Sequence, residues 1–223
     1  MRIEKQTYLN VASVGSGRTI AGVELVRCAF TASTLSQFDD PGLGLVVRDV
    51  TATRCVASRS FLQGVCLDNV LVDGLTTKSR LELNGCALRH VTLRGRVGSW
   101  GILPPNFSMP HAMQAAFTAA LIAYYKDVDW ALDISQAEFD SAPSIYYVPG
   151  HLVRRDPNTQ FLLRRDAVAD VDPASLPDFA SIAISRFEAT PFDSLVAVAP
   201  TRSKKFPKIL AHYQELRDRG LAD

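Results

Sequence analysis

A five-residue period runs through the first half of this sequence and limits what the chain can fold into. Residues 65–95 divide into the units VCLDN, VLVDG and LTTKS, one extra residue, Arg80, and then LELNG, CALRH and VTLRG. The units LVVRD, VTATR, CVASR and SFLQG precede them in the same phase, so seven units run from Leu45 to Ser79. VELVR, CAFTA and STLSQ begin at Val23 in a frame shifted by two residues, and FDDPG marks the break. Such self-similarity is typical of repeat architectures.

Each unit has the composition of a short extended segment followed by a turn. Its first and third residues are apolar or small, and Gly, Asn or Asp are favoured at its fifth position. Because residues i and i+2 of a strand point to the same face, each unit places two side chains inward before the chain turns. Four sides and four turns close a coil of about 20 residues, and coils stack through parallel hydrogen bonds about 4.8 Å apart. With Arg80 as a bulged extra residue, three inward columns are predicted: Val50, Val70 and Val91; Ala52, Val72 and Leu93; and Val47, Leu67 and Leu88.

These units resemble pentapeptide repeats, whose fold is a right-handed quadrilateral β-helix. The resemblance covers about residues 22–98, roughly a third of the chain, although Arg often replaces Asp or Asn after the central apolar residue. It implies a mainly β protein in which residues 1–108 form a solenoid with an N-terminal cap. The alternative is an ordinary antiparallel sheet with several hairpins, but hairpin strands would not keep one period over so many turns.

An amphipathic helix is predicted after the repeats. Residues 96–108 lose the period and are predicted to be a loop, Ser108 offers an N-cap, and Pro110 suits a first helical turn. The helix would span about residues 109–129, with an apolar stripe of Met113, Phe117, Leu121, Tyr124 and Val128. This stripe either covers apolar residues on the outside of the solenoid or makes a dimer face. The outward apolar residues of the repeats are Val46, Val56, Phe61, Leu71 and Ala87.

Residues 109–223 are expected to form the second part of the molecule, a mixed region packed on the solenoid. The five-residue frame returns over residues 132–141, which predicts a further partial coil with Leu132, Ile134, Ala137 and Phe139 inward. The chain ends in a predicted helix with Ile209, Leu210, Tyr213 and Leu216 on one face and Gly220 as its C-cap. The pattern assigns no definite elements to residues 171–200.

Two similar fragments, LVRRD and LLRRD, bring four arginines into one short segment. The candidate binding residues are Arg154, Arg155, Arg164 and Arg165. In one interpretation they lie in two short strands or turns and pair with Asp156 and Asp166. In the other they bind an anionic partner, since guanidinium groups suit carboxylate or phosphate.

Catalytic and metal-binding patterns are missing from the sequence. There is no nucleophile elbow, no glycine-rich phosphate loop and no clustering of the four histidines, so no catalytic residue, metal or cofactor is predicted. Cys28, Cys55 and Cys86 occupy inward positions and Cys66 an outward one, and all four are expected to be free thiols. The outward second positions of the repeats carry almost no acidic residues, which argues against a carbohydrate-active β-helix enzyme.

Charge and targeting features limit the partners. The net charge is +1, the N-terminus has no apolar signal core, and no segment is long enough to span a membrane, so a cytoplasmic protein is expected. Pentapeptide-repeat proteins are largely non-enzymatic, and the resemblance therefore implies a bacterial surface-recognition protein with an unknown protein partner. The alternative is a topoisomerase-protecting DNA mimic or another nucleic-acid-related binder. Mimicry requires an acidic surface, whereas residues 23–98 hold nine basic and seven acidic residues; Arg89, Arg94 and Arg96 could instead touch nucleic acid.

Overall fold

The computed structural model describes all 223 residues, and most of its regular structure is β-strand. The first strands are β1 (Arg2–Glu4), β2 (Thr7–Leu9), β3 (Ala12–Val14), β4 (Arg18–Ala21), β5 (Glu24–Val26), β6 (Ala29–Thr31) and β7 (Thr34–Ser36). The central strands are β8 (Leu45–Ser58), β9 (Phe61–Gln63), β10 (Val65–Thr77), β11 (Leu81–Asn84), β12 (Ala87–Val97) and β13 (Trp100–Leu103). The last strands are β14 (Leu132–Phe139), β15 (Ser144–Ile145), β16 (Val153–Arg154), β17 (Gln160–Arg164) and β18 (Ser194–Val198). The α-helices are α1 (His111–Tyr124), α2 (Arg165–Val168), α3 (Asp178–Ser185) and α4 (Phe206–Asp218).

Strands β1–β16 pair in parallel in two sheets. The larger sheet follows the order β1-β5-β8-β10-β12-β14-β16, with β2, β4 and β6 joined to it, and the smaller follows β15-β13-β11-β9-β7-β3. Neighbouring strands are not consecutive in the chain: β9 and β11 of the smaller sheet, for example, lie between β8, β10 and β12 of the larger one. Only β17 and β18 pair in antiparallel fashion. The fold is therefore rich in parallel β-structure and contains none of the repeated hairpins of the alternative interpretation.

The strand registers match the predicted columns. Val70 lies beside Val50 in β8 and beside Val91 in β12, so paired residues of neighbouring strands are one predicted coil apart in the chain. The other two columns also stand in register: Ala52, Val72 and Leu93, and Val47, Leu67 and Leu88. Val72 and Ala52 are only half-buried, whereas the other residues of the three predicted columns are buried.

The position of the extra residue is confirmed by a change of register. Thr77 pairs with Ala57, whereas Glu82 pairs with Phe61. The chain advances by five positions from Thr77 to Glu82 but by only four from Ala57 to Phe61. One residue is therefore inserted between Thr77 and Glu82, which is where Arg80 breaks the sequence period.

Parallel strands begin earlier than residue 22, and residues 2–21 form a further set rather than a cap. β1, β2, β3 and β4 pair in parallel with β5, β6, β7 and β8. The frame is present as MRIEK, QTYLN, VASVG and RTIAG, but the first residues of these units include Gln6 and Arg18. An inward side chain at the end of a stack is only partly enclosed, so polar residues are tolerated there. These polar residues obscure the five-residue period in the sequence.

The predicted loop at residues 96–108 contains a strand. β12 continues to Val97, and β13 pairs in parallel with β11. Trp100 and Ile102 are buried two residues apart, as the inward pair of any unit would be. The glycines and prolines around them concealed this short alternation.

Helix α1 packs on its own chain. It lies over a strip formed by residues 45–48, 65–68 and 87–89, here called the covered strip: the hydroxyl of Tyr124 lies 3.4 Å from Cys66 Sγ, and the amide of Leu88 donates to the hydroxyl of Tyr125 at 3.1 Å. Gly64 permits the approach, since a Cβ there would stand 2.8 Å from Phe117 and its φ is +63°. The helix starts at His111 after Pro110, without a side-chain cap from Ser108, and a 3-10 turn from Tyr125 to Asp127 extends it.

The stripe of α1 is buried at its centre. Phe117 and Leu121 are fully buried in the same core as the strands, Val128 is buried, and Met113 and Tyr124 are half-buried. Among the outward residues of the repeats, Ala87 and Cys66 are buried under this layer, while Val56, Phe61 and Leu71 stay half-buried elsewhere. Helix α1 thus covers one part of the outer surface and leaves the rest open.

The chain returns to the parallel sheet after the helix, as predicted. β14 pairs with β12, and Leu132, Ile134, Ala137 and Phe139 are all buried. Beyond it, the antiparallel pair of β17 and β18 separates two cores. Leu162 and Val196 face the parallel strands, and Phe161 and Leu163 face α3 and α4. The predicted face of α4 is buried at Ile209, Tyr213 and Leu216, and Gly220 follows the helix with a φ of +71°.

Replacing Val70 with aspartate is expected to destabilise the protein by several kcal/mol, because it places an unpaired charge between Val50 and Val91. Val70 is 7% exposed. Its neighbour Leu71 points outward, so Leu71→Asp serves as the matched control and should cost about 1 kcal/mol or less. Chemical denaturation measures both changes. Equal unfolding midpoints for the two variants would contradict the inward assignment of Val70.

Phe117→Ala is expected to lower the free energy of unfolding by roughly 3–5 kcal/mol, since it removes a fully buried aromatic ring. Light scattering should give the same particle mass as for wild type, because the ring contacts the helix's own chain. The exposed Ile122 on the same helix provides the control, and Ile122→Ala should leave stability nearly unchanged. A change of mass in Phe117→Ala alone would instead support the dimer interpretation.

Candidate binding surface

The four candidate arginines lie in three different environments. Arg154 is in β16, Arg155 follows it, Arg164 ends β17, and Arg165 begins α2. The predicted short strands are present, but the predicted pairing with Asp156 and Asp166 is not. Asp156 accepts hydrogen bonds from Asn158 and Thr159 within its own turn, and Asp166 accepts one from the amide of Ala167.

Arg165 holds a loop in place. Its guanidinium donates to the carbonyl oxygens of Phe187, Thr190 and Phe192 at distances of 3.0, 2.8 and 2.9 Å. The carboxylate of Asp193 lies 3.6 Å away. Because its donors already have acceptors within the chain, Arg165 is a structural residue.

Arg155 and Arg164 lie near the C-terminal segment. Arg164 forms an ion pair with Asp223 at 3.2 Å, and Arg155 donates to the carbonyl oxygen of Gln160 at 3.2 Å. Burial lowers the pKa of the Arg155 guanidinium, which is only half-exposed. Arg217 approaches the same carboxyl-terminal residue by donating to the carbonyl oxygen of Asp223 at 2.9 Å. These arginines therefore fix the last residues against β17.

Arg154 is exposed and has no acceptor in the chain. Its guanidinium lies over the ring of Trp130, 4.1 Å from the ring centre, and makes no hydrogen bond or ion pair. Trp130 in turn packs against His90 at 4.7 Å, and His90 Nε2 lies 2.7 Å from a carboxylate oxygen of Asp129. This hydrogen bond lowers the pKa of Asp129. The four residues form the Trp130–Arg154 surface, in which a cation is oriented by an aromatic ring with its donors free.

The parallel register brings this surface together. His90 occupies a turn of β12 with a φ of +54°, and its amide donates to the carbonyl oxygen of Trp130 at 3.3 Å. Arg154 stands beside Asp133 in the next row of the sheet. The sequence contained one signal for it, since His90 ends the unit CALRH and Trp130 comes shortly before Leu132, where the period resumes. Their contact depends on the return of the chain after α1, which the local pattern does not specify.

The arginines considered for nucleic acid binding are paired with carboxylates of neighbouring strands. Arg89 makes two hydrogen bonds to Asp68, at 2.9 and 2.6 Å. Arg94 pairs with Asp73 at 2.9 Å, and Arg96 pairs with Asp140 at 3.1 Å. The hydrogen bonds from Arg89 lower the pKa of Asp68. These contacts turn the mixed charges of the repeats into ion pairs between rows.

Possible nucleophiles are enclosed. The hydroxyl of Ser194 lies 3.1 Å from His151 Nδ1, but Ser194 is only 3% exposed and also accepts a hydrogen bond from the amide of His151. All four cysteines are free and buried, including Cys66, whose outward position is covered by Tyr124. Burial raises the pKa of the Cys66 thiol, and it raises the pKa of Cys86 to about 12. No group of three or more His, Cys, Asp or Glu side chains is arranged to hold a metal ion.

Acid is expected to weaken the contact between Asp68 and Arg89. Because the pKa of Asp68 is lower in the folded protein than in the unfolded chain, the pair stabilises the fold at neutral pH, and that contribution is lost as the pH falls below about 4. Asp68→Asn should therefore cost roughly 1 kcal/mol at pH 7 and should reduce the loss of stability between about pH 5 and pH 3. Urea denaturation across this range measures both effects. Arg89→Met should give the same flattening, and an unaltered pH profile in both variants would contradict the assignment.

None of the helices is long and apolar enough to cross a membrane. Comparisons with protein-family models, with curated proteins and with solved structures find no match to this chain.

Proposed function

We propose that the parallel strands wind as a right-handed quadrilateral solenoid of the pentapeptide-repeat type. Support comes from the separation of 20 to 22 positions along the chain between paired residues of β8, β10 and β12 and from the turns at every fifth residue. Several of these turns hold residues other than glycine at positive φ: Asp49, Arg54, Arg59, Asn69 and His90. Four turns in each repeat of the register are what a four-sided coil requires.

The proposed function is non-catalytic recognition of a protein partner through the Trp130–Arg154 surface. The observation that carries this proposal is the guanidinium of Arg154, which is exposed, oriented by Trp130 and without an acceptor in the chain. A planar guanidinium fork suits a carboxylate, and stacking on an aromatic ring reduces the freedom that binding would remove. The partner is therefore expected to present an Asp or Glu side chain to this surface.

The charges around Arg154 favour a protein over a nucleic acid. Asp129 is exposed and hydrogen-bonded to His90, and Asp133 stands next to Arg154 in the sheet. Asp129 and Asp133 would repel a polyanionic phosphate chain more strongly than a single carboxylate side chain, although Trp130 and His90 could stack with bases. DNA mimicry is less well supported, because the carboxylates of Asp68 and Asp73 are engaged by arginines.

Binding without catalysis agrees with the state of the possible nucleophiles. Ser194 and the cysteines are enclosed by other side chains, and activation of a nucleophile requires access as well as a base. The elevated thiol pKa values of Cys66 and Cys86 also oppose thiolate chemistry.

Arg154→Ala is expected to abolish or strongly reduce capture of the partner while leaving the fold intact. The wild-type protein and this variant would be immobilised and used to capture proteins from a nuclease-treated lysate of the native cells, with quantification by mass spectrometry. Arg154→Lys should also lose the partner, because it keeps the charge but not the planar fork. Arg155→Ala should retain it, since the Arg155 side chain is engaged with Gln160.

Arg59→Ala is the matched control, since Arg59 is an exposed cation at another turn, directly after β8. A partner retained by this variant and lost with Arg154→Ala would support the surface. Equal capture by all variants would contradict it and would direct attention to the C-terminal helix α4. Capture that disappears after nuclease treatment would favour the nucleic acid alternative.

A further inference from the structure

The two ends of the parallel stack are finished differently. At the end near β14 and β16, the inward residues Leu132, Ile134 and Phe139 are fully buried, because the antiparallel strands β17 and β18 pack on this end in the same core. At the other end, β1, β2, β3 and β4 each pair with one strand only. These four edge strands are called the amino-terminal rim.

The rim exposes apolar side chains. Inward residues that would be enclosed in any later row are open here: Ile3 and Tyr8 are half-buried and Ile20 is 40% exposed. On its outer surface Leu9 is 61% exposed and Val14 is 54% exposed. Terminal units of repeat proteins normally carry a polar cap, whereas this rim combines polar inward residues such as Gln6 and Arg18 with exposed apolar ones.

The rim also presents unpaired backbone groups. In β1, the carbonyl of Met1 accepts from Glu24 and the amide of Lys5 donates to Val26, so the alternation of a strand turns the amide and carbonyl of Arg2 and Glu4 to the free side. The corresponding hydrogen bonds of the other three strands leave the amides and carbonyls of two residues free in each strand. These residues are Thr7 and Leu9 in β2, Ala12 and Val14 in β3, and Thr19 and Ala21 in β4.

Protection against edge pairing is weak on three of the four sides. No proline lies within residues 1–40, and the free residues of β2, β3 and β4 are uncharged. Exposed strand edges without proline or charge are templates for pairing with another chain. Only β1 carries charged residues on its free side: Arg2, which pairs with Glu24 in the chain, and Glu4, which pairs with Arg27. Their order along the strand suits an antiparallel partner with the same two residues.

We propose that the amino-terminal rim is a docking surface for a second copy of this chain, which joins rim to rim about a two-fold axis through β1 and β3. In this arrangement β1 pairs in antiparallel fashion with β1 of the other copy, centred on Ile3. Arg2 then faces Glu4 of the other copy, and Glu4 faces its Arg2, so both pairs have opposite charges. The same axis places β2 of one copy against β4 of the other, with Tyr8 of the first copy opposite Ile20 of the second in the interior.

The alternative axis, through β2 and β4, fits less well. It would place β1 against β3 and set Arg2 and Glu4 against Val14 and Ala12, without a charged partner. Each copy contributes residues 1–21, which is comparable to the roughly 20–30 residues per partner of a stable interface.

Analytical ultracentrifugation of the full chain tests the proposal. Wild type is expected to sediment as a dimer of the 24.4 kDa chain, with dissociation on dilution. Thr7→Pro should be a monomer, because it removes an amide donor on the free side of β2 without breaking a bond to β6. Its thermal unfolding at high dilution should match that of diluted wild type, which shows that the chain still folds.

Charge reversal tests the register. Glu4→Arg should give a monomer, since Arg2 would then face the introduced arginine of the other copy, and the double change Arg2→Glu with Glu4→Arg should restore the dimer. Glu24→Arg and Arg27→Glu are the controls: they break the pairs that Glu24 forms with Arg2 and that Arg27 forms with Glu4 inside the chain but lie outside the rim, so the dimer should persist in both. A wild type that is monomeric at all concentrations, or dimers that persist in both Thr7→Pro and Glu4→Arg, would overturn the proposal.

Discussion

Parallel pairing between strands such as β8, β10 and β12, whose paired residues lie 20 to 22 positions apart in the chain, is the constraint on which the rest of the structure depends. It stacks each inward residue on its counterparts, so Val50, Val70 and Val91 share one column and must be similar in size and shape. A narrow core of this kind has no room for a charge and little for an extra methylene. The five-residue period of the sequence is therefore the trace of a packing requirement that is repeated in every row.

The same register organises the outer surface. Carboxylates and arginines one row apart meet as Asp68 with Arg89 and Asp73 with Arg94, so part of a nearly balanced set of charges is held in ion pairs. Arg154 is not paired in this way: its neighbour in the sheet, Asp133, makes no ion pair with it, and no other acceptor in the chain replaces that contact. Other exposed cations, among them Arg48, Arg54 and Arg59, also lack a partner, but Arg154 is the one of these that lies over an aromatic ring.

Much of the fold could be predicted from local alternation, and the rest could not for identifiable reasons. The columns and the return at Leu132 follow from side-chain periodicity, and the stripe around Phe117 follows from helical spacing. The strands of residues 2–21 were missed because polar residues such as Gln6 occupy positions that are apolar in enclosed rows. The contact between Trp130 and Arg154 was missed because it joins two separate segments through a register that only the folded chain defines. The four arginines of LVRRD and LLRRD looked alike in sequence, yet the structure gives them different neighbours.

The turns have a consequence for how the stack assembles. Asp49, Asn69 and His90 adopt left-handed backbone conformations, which cost about 1 kcal/mol each for residues other than glycine. A single row cannot offset that strain alone, because its hydrogen bonds and its inward contacts are made with the next row. Rows are therefore expected to become ordered together with their neighbours rather than singly, and an outermost row, which has only one neighbour, should fray first.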